Sequence, residues 1–144
     1  MNTKYNDTKN LYNNNANLWE RNTPSSLSDF TARPIVLDAI GNVKDLRVLD
    51  LGCGEGYMTR QVAMTSPAQI TGIDISEKMI ELAKKNNTYK YCEFYVCSSK
   101  KLTFENEYFE IIFSVFMYNY MPTSDMLKSF LEVYRCLKPN GRFI

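Results

Sequence analysis

Residues 48–56 read Val-Leu-Asp-Leu-Gly-Cys-Gly-Glu-Gly, a short apolar run that ends in an acid and then in alternating glycines. A second apolar run at residues 70–74, Ile-Thr-Gly-Ile-Asp, also ends in an acid. Runs this short, bounded by glycine, predict buried parallel strands. Glycine lets a turn come close to a ligand, and an acid at the tip of the next strand can bind ribose hydroxyls. The two stretches therefore predict a site for a nucleoside-containing cofactor.

The composition excludes several classes of protein. The chain has 144 residues, 44% of them hydrophobic and 23% charged, with a formal net charge of +1. This near-neutral charge argues against a nucleic-acid binder. No apolar run approaches the roughly 18 residues that a membrane span needs, and the N-terminus lacks the apolar core of a signal peptide. We therefore expect a single-domain cytoplasmic protein that binds neither nucleic acid nor a membrane.

Cysteine and histidine usage bears on the chemistry of the site. The four cysteines, at positions 53, 92, 97 and 136, form no C-x-x-C pair and no metal-ligand spacing. We expect them to be reduced thiols and expect no metal site. The chain contains no histidine, so the commonest general base and the commonest zinc ligand are both missing.

Short apolar runs alternate with helical patterns from residue 35 onward. The pattern predicts strands over residues 46–51, 69–74, 93–97 and 109–116, with a fifth strand starting at residue 142 after a turn at 139–141. Helices are expected over 35–40, ended by Gly41, after Gly56, and after the N-cap Ser76. The last helix carries an apolar stripe at helical spacing, formed by Leu127, Phe130, Leu131, Tyr134 and Leu137.

This alternation predicts an α/β fold with a doubly wound, mainly parallel sheet and right-handed crossovers. Ligands bind such sheets outside the carboxyl ends of the strands, where the strand order reverses. We predict a polar, Asn-rich segment over residues 1–30, weakly helical or mobile, and one domain over residues 31–144. The sequence stops as the fifth strand begins, so we expect a C-terminally shortened chain whose open sheet edge could self-associate.

Four motifs resemble those of the class I S-adenosylmethionine-dependent methyltransferases, in the small-molecule group called the methyltransferase domain. The glycine motif is residues 48–56, and Gly-Ile-Asp-Ile-Ser at 72–76 resembles the ribose-binding strand. Phe-Glu-Ile-Ile at 109–112 resembles the fourth strand, and Leu-Lys-Pro-Asn-Gly-Arg-Phe at 137–143 the turn into the fifth. The resemblance covers residues 35–144 and implies a Rossmann-like, three-layer α/β/α fold that ends here at its fifth strand.

The resemblance also implies a cofactor and a reaction. The cofactor would be S-adenosylmethionine, and the reaction would be methyl transfer to a small-molecule acceptor by in-line displacement at the sulfonium methyl. The glycines would pack under the methionine part of the cofactor, Asp50 would orient its amino group and Asp74 would bind the ribose. The expected cofactor-binding residues are Asp50, Gly52, Cys53, Gly54, Gly56, Asp74, Ile75, Met79, Ser98, Ser99, Ser114 and Val115.

The acceptor side is less well defined by the sequence. We expect Tyr12, Trp19, Tyr118 and Asn119 to contact the substrate. Asn119 stands where many members of the family have histidine, so no base chemistry can be carried over to it, and no catalytic residue is identified. Two alternatives stay open: a cofactor-binding domain without catalysis, and a nicotinamide-dependent oxidoreductase, although the latter prefers G-x-G-x-x-G to the G-x-G-x-G found here.

Overall fold

The computed structural model describes residues 3–21 and 23–144. Met1, Asn2 and Asn22, which belong to the predicted N-terminal segment, lie outside the described residues. The helices are α1 (Thr3–Asn15), α2 (Leu27–Phe30), α3 (Ala32–Ile40), α4 (Tyr57–Ala63), α5 (Glu77–Lys85) and α6 (Thr123–Cys136), with short 3₁₀ turns at Ala16–Leu18 and Tyr118–Tyr120. The strands are β1 (Arg47–Leu51), β2 (Gln69–Asp74), β3 (Cys92–Val96), β4 (Phe109–Phe113) and β5 (Leu137–Phe143).

In the described part of the chain, the five strands form one parallel sheet in the order β3-β2-β1-β4-β5. The central strand β1 pairs with β2 on one side and with β4 on the other, so that Val48 lies opposite both Ile70 and Ile111. The strand order reverses between β1 and β4. The structure confirms the predicted doubly wound fold and places its switch point directly after the glycine motif.

The core lies on both faces of this sheet. On one face, Val48 and Ile70 pack with Ile40 and Ile80 from helices α3 and α5. On the other face, Leu49 packs with residues of α6 and of the segment between β3 and β4. Because β1 is buried on both faces after its first residue, Arg47, the rest of its sequence is apolar except for Asp50.

The predicted helix boundaries follow local chemistry. Gly41 ends α3 with φ +68° and donates its N–H to Leu37 O. Ser76 caps α5, since its Oγ accepts from the Met79 N–H at 3.1 Å.

No helix among residues 3–21 and 23–144 is long and apolar enough to cross a membrane.

Two strands differ from the prediction. β4 ends at Phe113 rather than at residue 116, and Phe116 has φ +64°, a left-handed conformation that a strand cannot continue through. β5 begins at Leu137, opposite Phe109, but its register shifts before Arg142 pairs with Ile111. The predicted turn at residues 139–141 is therefore an irregularity within the strand, with Asn140 at φ +65°.

The face of helix α6 that packs against the rest of the protein is not its apolar stripe. Leu127, Leu131 and Tyr134 are 62%, 61% and 83% exposed, and Leu137 has left the helix for β5. The helix instead buries Ser129, Val133 and Cys136. These smaller residues recur at i, i+4 and i+7, which is also helical spacing. Periodicity alone therefore predicted the helix correctly but not its buried face.

Candidate cofactor-binding site

A cavity of about 370 Å³ opens at the carboxyl ends of β1, β2 and β4. Its volume lies within the range of small-molecule sites, roughly 300–1,000 Å³. The glycine loop after β1 contributes Gly52, Cys53 and Gly54, and the segment after β4 contributes Val115 and Phe116. The cavity thus lies where strand order reverses, the position expected for a ligand in an open α/β sheet.

Backbone hydrogen bonds fix the glycine loop against β2. The N–H groups of Gly52 and Cys53 both donate to Ile73 O, at 2.8 and 2.9 Å. Gly52 has φ +73°, and a Cβ there would lie 2.7 Å from the Cβ of Met117. Gly54 has φ +55°, and a Cβ there would meet no atom within 4 Å. The loop is therefore tightly packed at Gly52 and open at Gly54.

Asp74 at the end of β2 is held by two backbone donors. Its Oδ2 accepts from the Gly54 N–H at 3.0 Å, and its Oδ1 accepts from the Ser76 N–H at 2.9 Å. Burial raises the pKa of this carboxyl against the opposing effect of those donors. Each carboxylate oxygen has a second lone pair, so Asp74 keeps the capacity to accept from two ligand hydroxyls.

Asp50 on β1 is buried and lines the same cavity. Thr59 Oγ1 donates to its Oδ2 at 2.7 Å. Burial raises the pKa of Asp50 to about 7, and the nearby carboxylates of Asp74 and Glu55 act in the same direction. A cationic ligand group beside Asp50 would relieve this cost, because an opposite charge favours the ionised carboxylate.

The N-terminal segment forms another part of the cavity lining. Helix α1 docks on α5, where Asn13 Nδ2 donates to Glu77 Oε2 at 3.1 Å and Asn13 Oδ1 accepts from Ser76 Oγ at 2.6 Å. The ring centroid of Tyr12 lies 5.9 Å from the centroid of Trp19. It also lies 5.9 Å from the centroid of Tyr120, and these two rings meet edge-on. Burial and the hydrogen bond with Tyr120 hold the pKa of Tyr12 well above its usual range.

Most residues expected from the sequence come together in this cavity. The lining residues among them are Asp50, Gly52, Cys53, Gly54, Asp74, Ile75, Met79, Ser98, Ser99, Val115, Tyr12 and Trp19.

Four expected residues do not line the cavity. Gly56 is the N-cap of α4, with φ +83°, and is packed so that a Cβ would lie 2.9 Å from the Phe94 ring. Ser114 Oγ points back into the sheet and donates to Leu51 O at 2.9 Å. The Tyr118 hydroxyl pairs with Ser129 Oγ at 2.9 Å, on the side of α6. Asn119 follows Tyr118 in the same 3₁₀ turn and is likewise outside the lining.

The structure also adds lining residues that the sequence reasoning missed. Arg21, Ser26 and Ser28 come from the N-terminal segment, Arg33 lies on α3, and Phe116 follows β4. In the sequence, Arg21 and Arg33 flank a polar stretch and look like ordinary solvated charges. Their side chains are in fact only 14% and 13% exposed. The one available signal was the aspartate between them, Asp29, which could pair with both.

The chain matches known proteins over most of its length. A family model described as "Methyltransferase domain" matches residues 48–141. The ubiquinone/menaquinone biosynthesis C-methyltransferase UbiE of Desulfotalea psychrophila is 35% identical over 113 residues, covering 78% of this chain and 45% of that protein. The chain spans about half the length of the curated relatives it matches.

Solved structures of methyltransferases share the fold. An S-adenosylmethionine-dependent methyltransferase from Mesorhizobium loti superposes with a TM-score of 0.70 at 25% identity, covering 82% of this chain and 52% of that one. A methyltransferase in complex with the Haloferax volcanii activator Trm112 gives a TM-score of 0.65 at 28% identity, covering 69% and 43%. This chain therefore belongs to the methyltransferase-domain family of class I S-adenosylmethionine-dependent methyltransferases.

Proposed function

We propose that this chain transfers the methyl group of S-adenosylmethionine to a small-molecule acceptor by in-line displacement. The observation that carries the proposal is the convergence of Asp50, Gly54 and Asp74 on one cavity. Gly54 leaves open space where a side chain would otherwise stand. Asp50 and Asp74, which precede and follow the glycine loop in the sequence, offer carboxylate oxygens as hydrogen-bond acceptors. The proposal rests on this arrangement together with family membership.

The donor set fits the parts of the cofactor. Asp74 would accept from the ribose hydroxyls, since both of its oxygens keep free lone pairs. Asp50 would bind the ammonium group, which compensates a buried carboxylate whose pKa burial raises to about 7. Ile75 and Met79 supply apolar surface for adenine, with Ser98 and Ser99 as uncharged hydrogen-bonding partners.

The chemistry asks for alignment rather than covalent catalysis. A sulfonium methyl is already activated for displacement, so this chain need not supply a nucleophile. Its residues would hold the acceptor in line and exclude water, an effect that contributes about 7–11 kcal/mol at the extreme. Tyr12 and Trp19 line the cavity, where their aromatic rings would help to exclude water. Tyr12 is no candidate for a tyrosinate base, because its raised pKa keeps the phenol protonated.

A small molecule is the favoured acceptor because the relatives include, by name, a ubiquinone/menaquinone biosynthesis C-methyltransferase and a demethylmenaquinone methyltransferase. The complex with Trm112 shows that one structural relative has a protein partner, so self-association and partner binding stay open for this chain. The oxidoreductase alternative is not favoured, since the matched family and the G-x-G-x-G loop both point away from it.

Isothermal titration of S-adenosylhomocysteine, with NADH as the comparison ligand, tests the cofactor assignment. Asp74→Ala should weaken S-adenosylhomocysteine binding by about 1.5–3 kcal/mol, the scale of hydrogen bonds to a charged group. The exposed Asp38 on α3 supplies the matched control, and Asp38→Ala should leave the affinity unchanged.

The outcomes of this titration distinguish the candidate functions. Unchanged affinity in the Asp74 variant would remove the ribose assignment. Heat from NADH alone would support an oxidoreductase. Tight S-adenosylhomocysteine binding without methyl transfer to any acceptor tested would support the non-catalytic reading.

A further inference from the structure

Five charged side chains gather beside the cavity. The guanidinium groups of Arg21, Arg33 and Arg60 face the carboxylates of Asp29 and Glu55. All five side chains are at most 14% exposed. Guanidinium N–H groups this well shielded from water are costly unless a further partner accepts from them. Arg21, Arg33 and Glu55 line the cavity, so the cavity is where such a partner could reach them.

The hydrogen bonds identify which guanidinium groups have capacity to spare. Arg60 uses both of its terminal nitrogens within the protein: its Nη1 donates to Glu55 O at 2.6 Å, and its Nη2 donates to Glu55 Oε2 at 2.7 Å and to Arg21 O at 3.0 Å. Arg60 is also absent from the cavity lining. It therefore fixes the backbone of the N-terminal segment to the glycine loop rather than serving a ligand.

Arg21 and Arg33 use only part of their donors. Arg33 Nη1 donates to Asp29 Oδ1 at 2.8 Å and to the hydroxyls of Ser26 and Ser28. Arg21 Nη1 donates to Asp29 Oδ2 at 3.1 Å. Within the described part of the chain, the Nη2 of each arginine has no hydrogen-bond acceptor, and the Nε of each is buried without one. The Nε of Arg21 does lie 3.6 Å from Glu55 Oε1, in an ion pair, so Arg33 has the greater capacity to spare.

Contacts with the aromatic rings locate Arg33 with respect to the reaction. Its guanidinium lies 5.3 Å from the centre of the Phe116 ring. Phe116 directly follows Val115, another lining residue, which the resemblance to class I methyltransferases implies at the methyl-transfer end of the cavity. Arg21 lies over Tyr57, 4.5 Å from the ring centre. The rings restrict the orientation of the guanidinium planes, which favours recognition of a planar anion.

We propose that Arg33, supported by Arg21, binds a carboxylate group of the methyl acceptor, so that the enzyme selects acidic acceptors. This inference rests on the proposed function, because it places the carboxylate beside the methyl group to be transferred. A guanidinium binds carboxylate through two parallel N–H donors, and Ser26 and Ser28 support that geometry from the protein side. The cofactor also carries a carboxylate, on its amino-acid tail, so the test must distinguish the two sources.

The probe is malonate, titrated at constant ionic strength into the chain saturated with S-adenosylhomocysteine. Trp19 is the sole tryptophan and lines the cavity, so its fluorescence can report binding. Malonate should give a saturable change, whereas the uncharged malonamide should give none. Arg33→Met should weaken malonate binding at least tenfold. Arg33→Lys should keep part of the affinity, because lysine carries the positive charge but lacks the two parallel N–H donors of a guanidinium.

Arg47→Met is the matched control, because Arg47 also lies over a tyrosine ring, 4.3 Å from the centre of Tyr108, but does not line the cavity. This variant should bind malonate as the wild type does. A thermal melt of each variant in the absence of ligand separates loss of binding from loss of fold.

Four results would overturn the inference. Equal binding of malonate and malonamide, or no malonate binding to the S-adenosylhomocysteine-loaded chain, would overturn it while leaving the proposed function intact. Arg33→Met could instead weaken binding of S-adenosylhomocysteine tenfold and leave binding of 5′-methylthioadenosine, which lacks the amino-acid tail, unchanged. In that case the arginine binds the cofactor's own carboxylate. If the wild type binds no S-adenosylhomocysteine, the proposed function fails and this inference fails with it.

Discussion

Two buried aspartates, Asp29 in the N-terminal segment and Asp50 on β1, have opposite surroundings. Asp29 accepts from the N–H groups of Ser25 and Ser26, at 2.9 and 2.7 Å, and lies against two arginines. Burial opposes its ionisation, but these donors prevail and lower the pKa of Asp29 to about 2. At Asp50 burial prevails over the Thr59 bond and raises the pKa to about 7. Asp29 is thus satisfied by its own protein, whereas Asp50 retains capacity for a cationic ligand.

Asp29→Ala should have the largest effect on folding. It would leave Arg21 and Arg33 without their shared carboxylate, and breaking a buried ion pair from one side costs about 3 kcal/mol or more. Chemical denaturation should show this loss in the free energy of unfolding, against a change within about 0.5 kcal/mol for the exposed Asp38→Ala. A small effect at Asp29 would mean that its ion pairs are not coupled to folding, and the contrast with Asp50 would then disappear.

Two glycine variants test the loop next to Asp50 and should have the next largest effect. Gly52→Ala and Gly54→Ala both place a side chain at positive φ, which costs about 1–2 kcal/mol. Only at Gly52 would the new Cβ also meet Met117, at 2.7 Å. We expect Gly52→Ala to melt at the lower temperature and Gly54→Ala to fold but bind S-adenosylhomocysteine more weakly. Equal melting temperatures would argue against the close contact at Gly52.

The pH dependence of Asp50→Asn gives a third test. Because the folded pKa of Asp50 is raised above its unfolded value of about 4, ionisation destabilises the fold as pH rises from about 4 to about 7. The asparagine variant avoids this loss and can still accept from Thr59. Its stability relative to the wild type should therefore increase across that window, by at most about 1.4 kcal/mol per pH unit, and level off above it. Thermal melts at several pH values measure the difference, and a flat difference would contradict the raised pKa.

The sequence predicts the sheet side of the cavity well because its determinants are local. A buried strand, a glycine at positive φ and an acid at the next strand end each leave a signature within a few residues. The same reasoning does not extend to side-chain direction, which explains Ser114: it follows β4 directly, yet its hydroxyl points back to Leu51 O. Proximity to a strand end in sequence does not decide which way a side chain faces.

On the N-terminal side, Tyr12 and Trp19 were expected and do line the cavity. The arginine cluster there could not be predicted, since its interactions join distant parts of the chain. Arg60 donates to the carbonyl of Arg21, 39 residues earlier. Neither residue belongs to a periodic pattern that would reveal the contact. Helix α6 shows a related limit, because Ser129 and Val133 share the helical spacing of the more apolar Leu127 and Leu131. Only the packed structure decides between two faces of equal period.

The position of β1 between β2 and β4 has a consequence for how this protein folds. Val48 pairs with Ile111, and Ser114 reaches Leu51 across a sequence separation of 63 residues. Parallel pairings this distant must close a long loop before any contact rewards it, so folding is slow relative to helical proteins of the same size. The cavity exists only once β4 has joined β1, and a ligand that binds there stabilises the completed fold alone. Cofactor supply during synthesis would then raise the yield of folded chain, quite apart from any turnover.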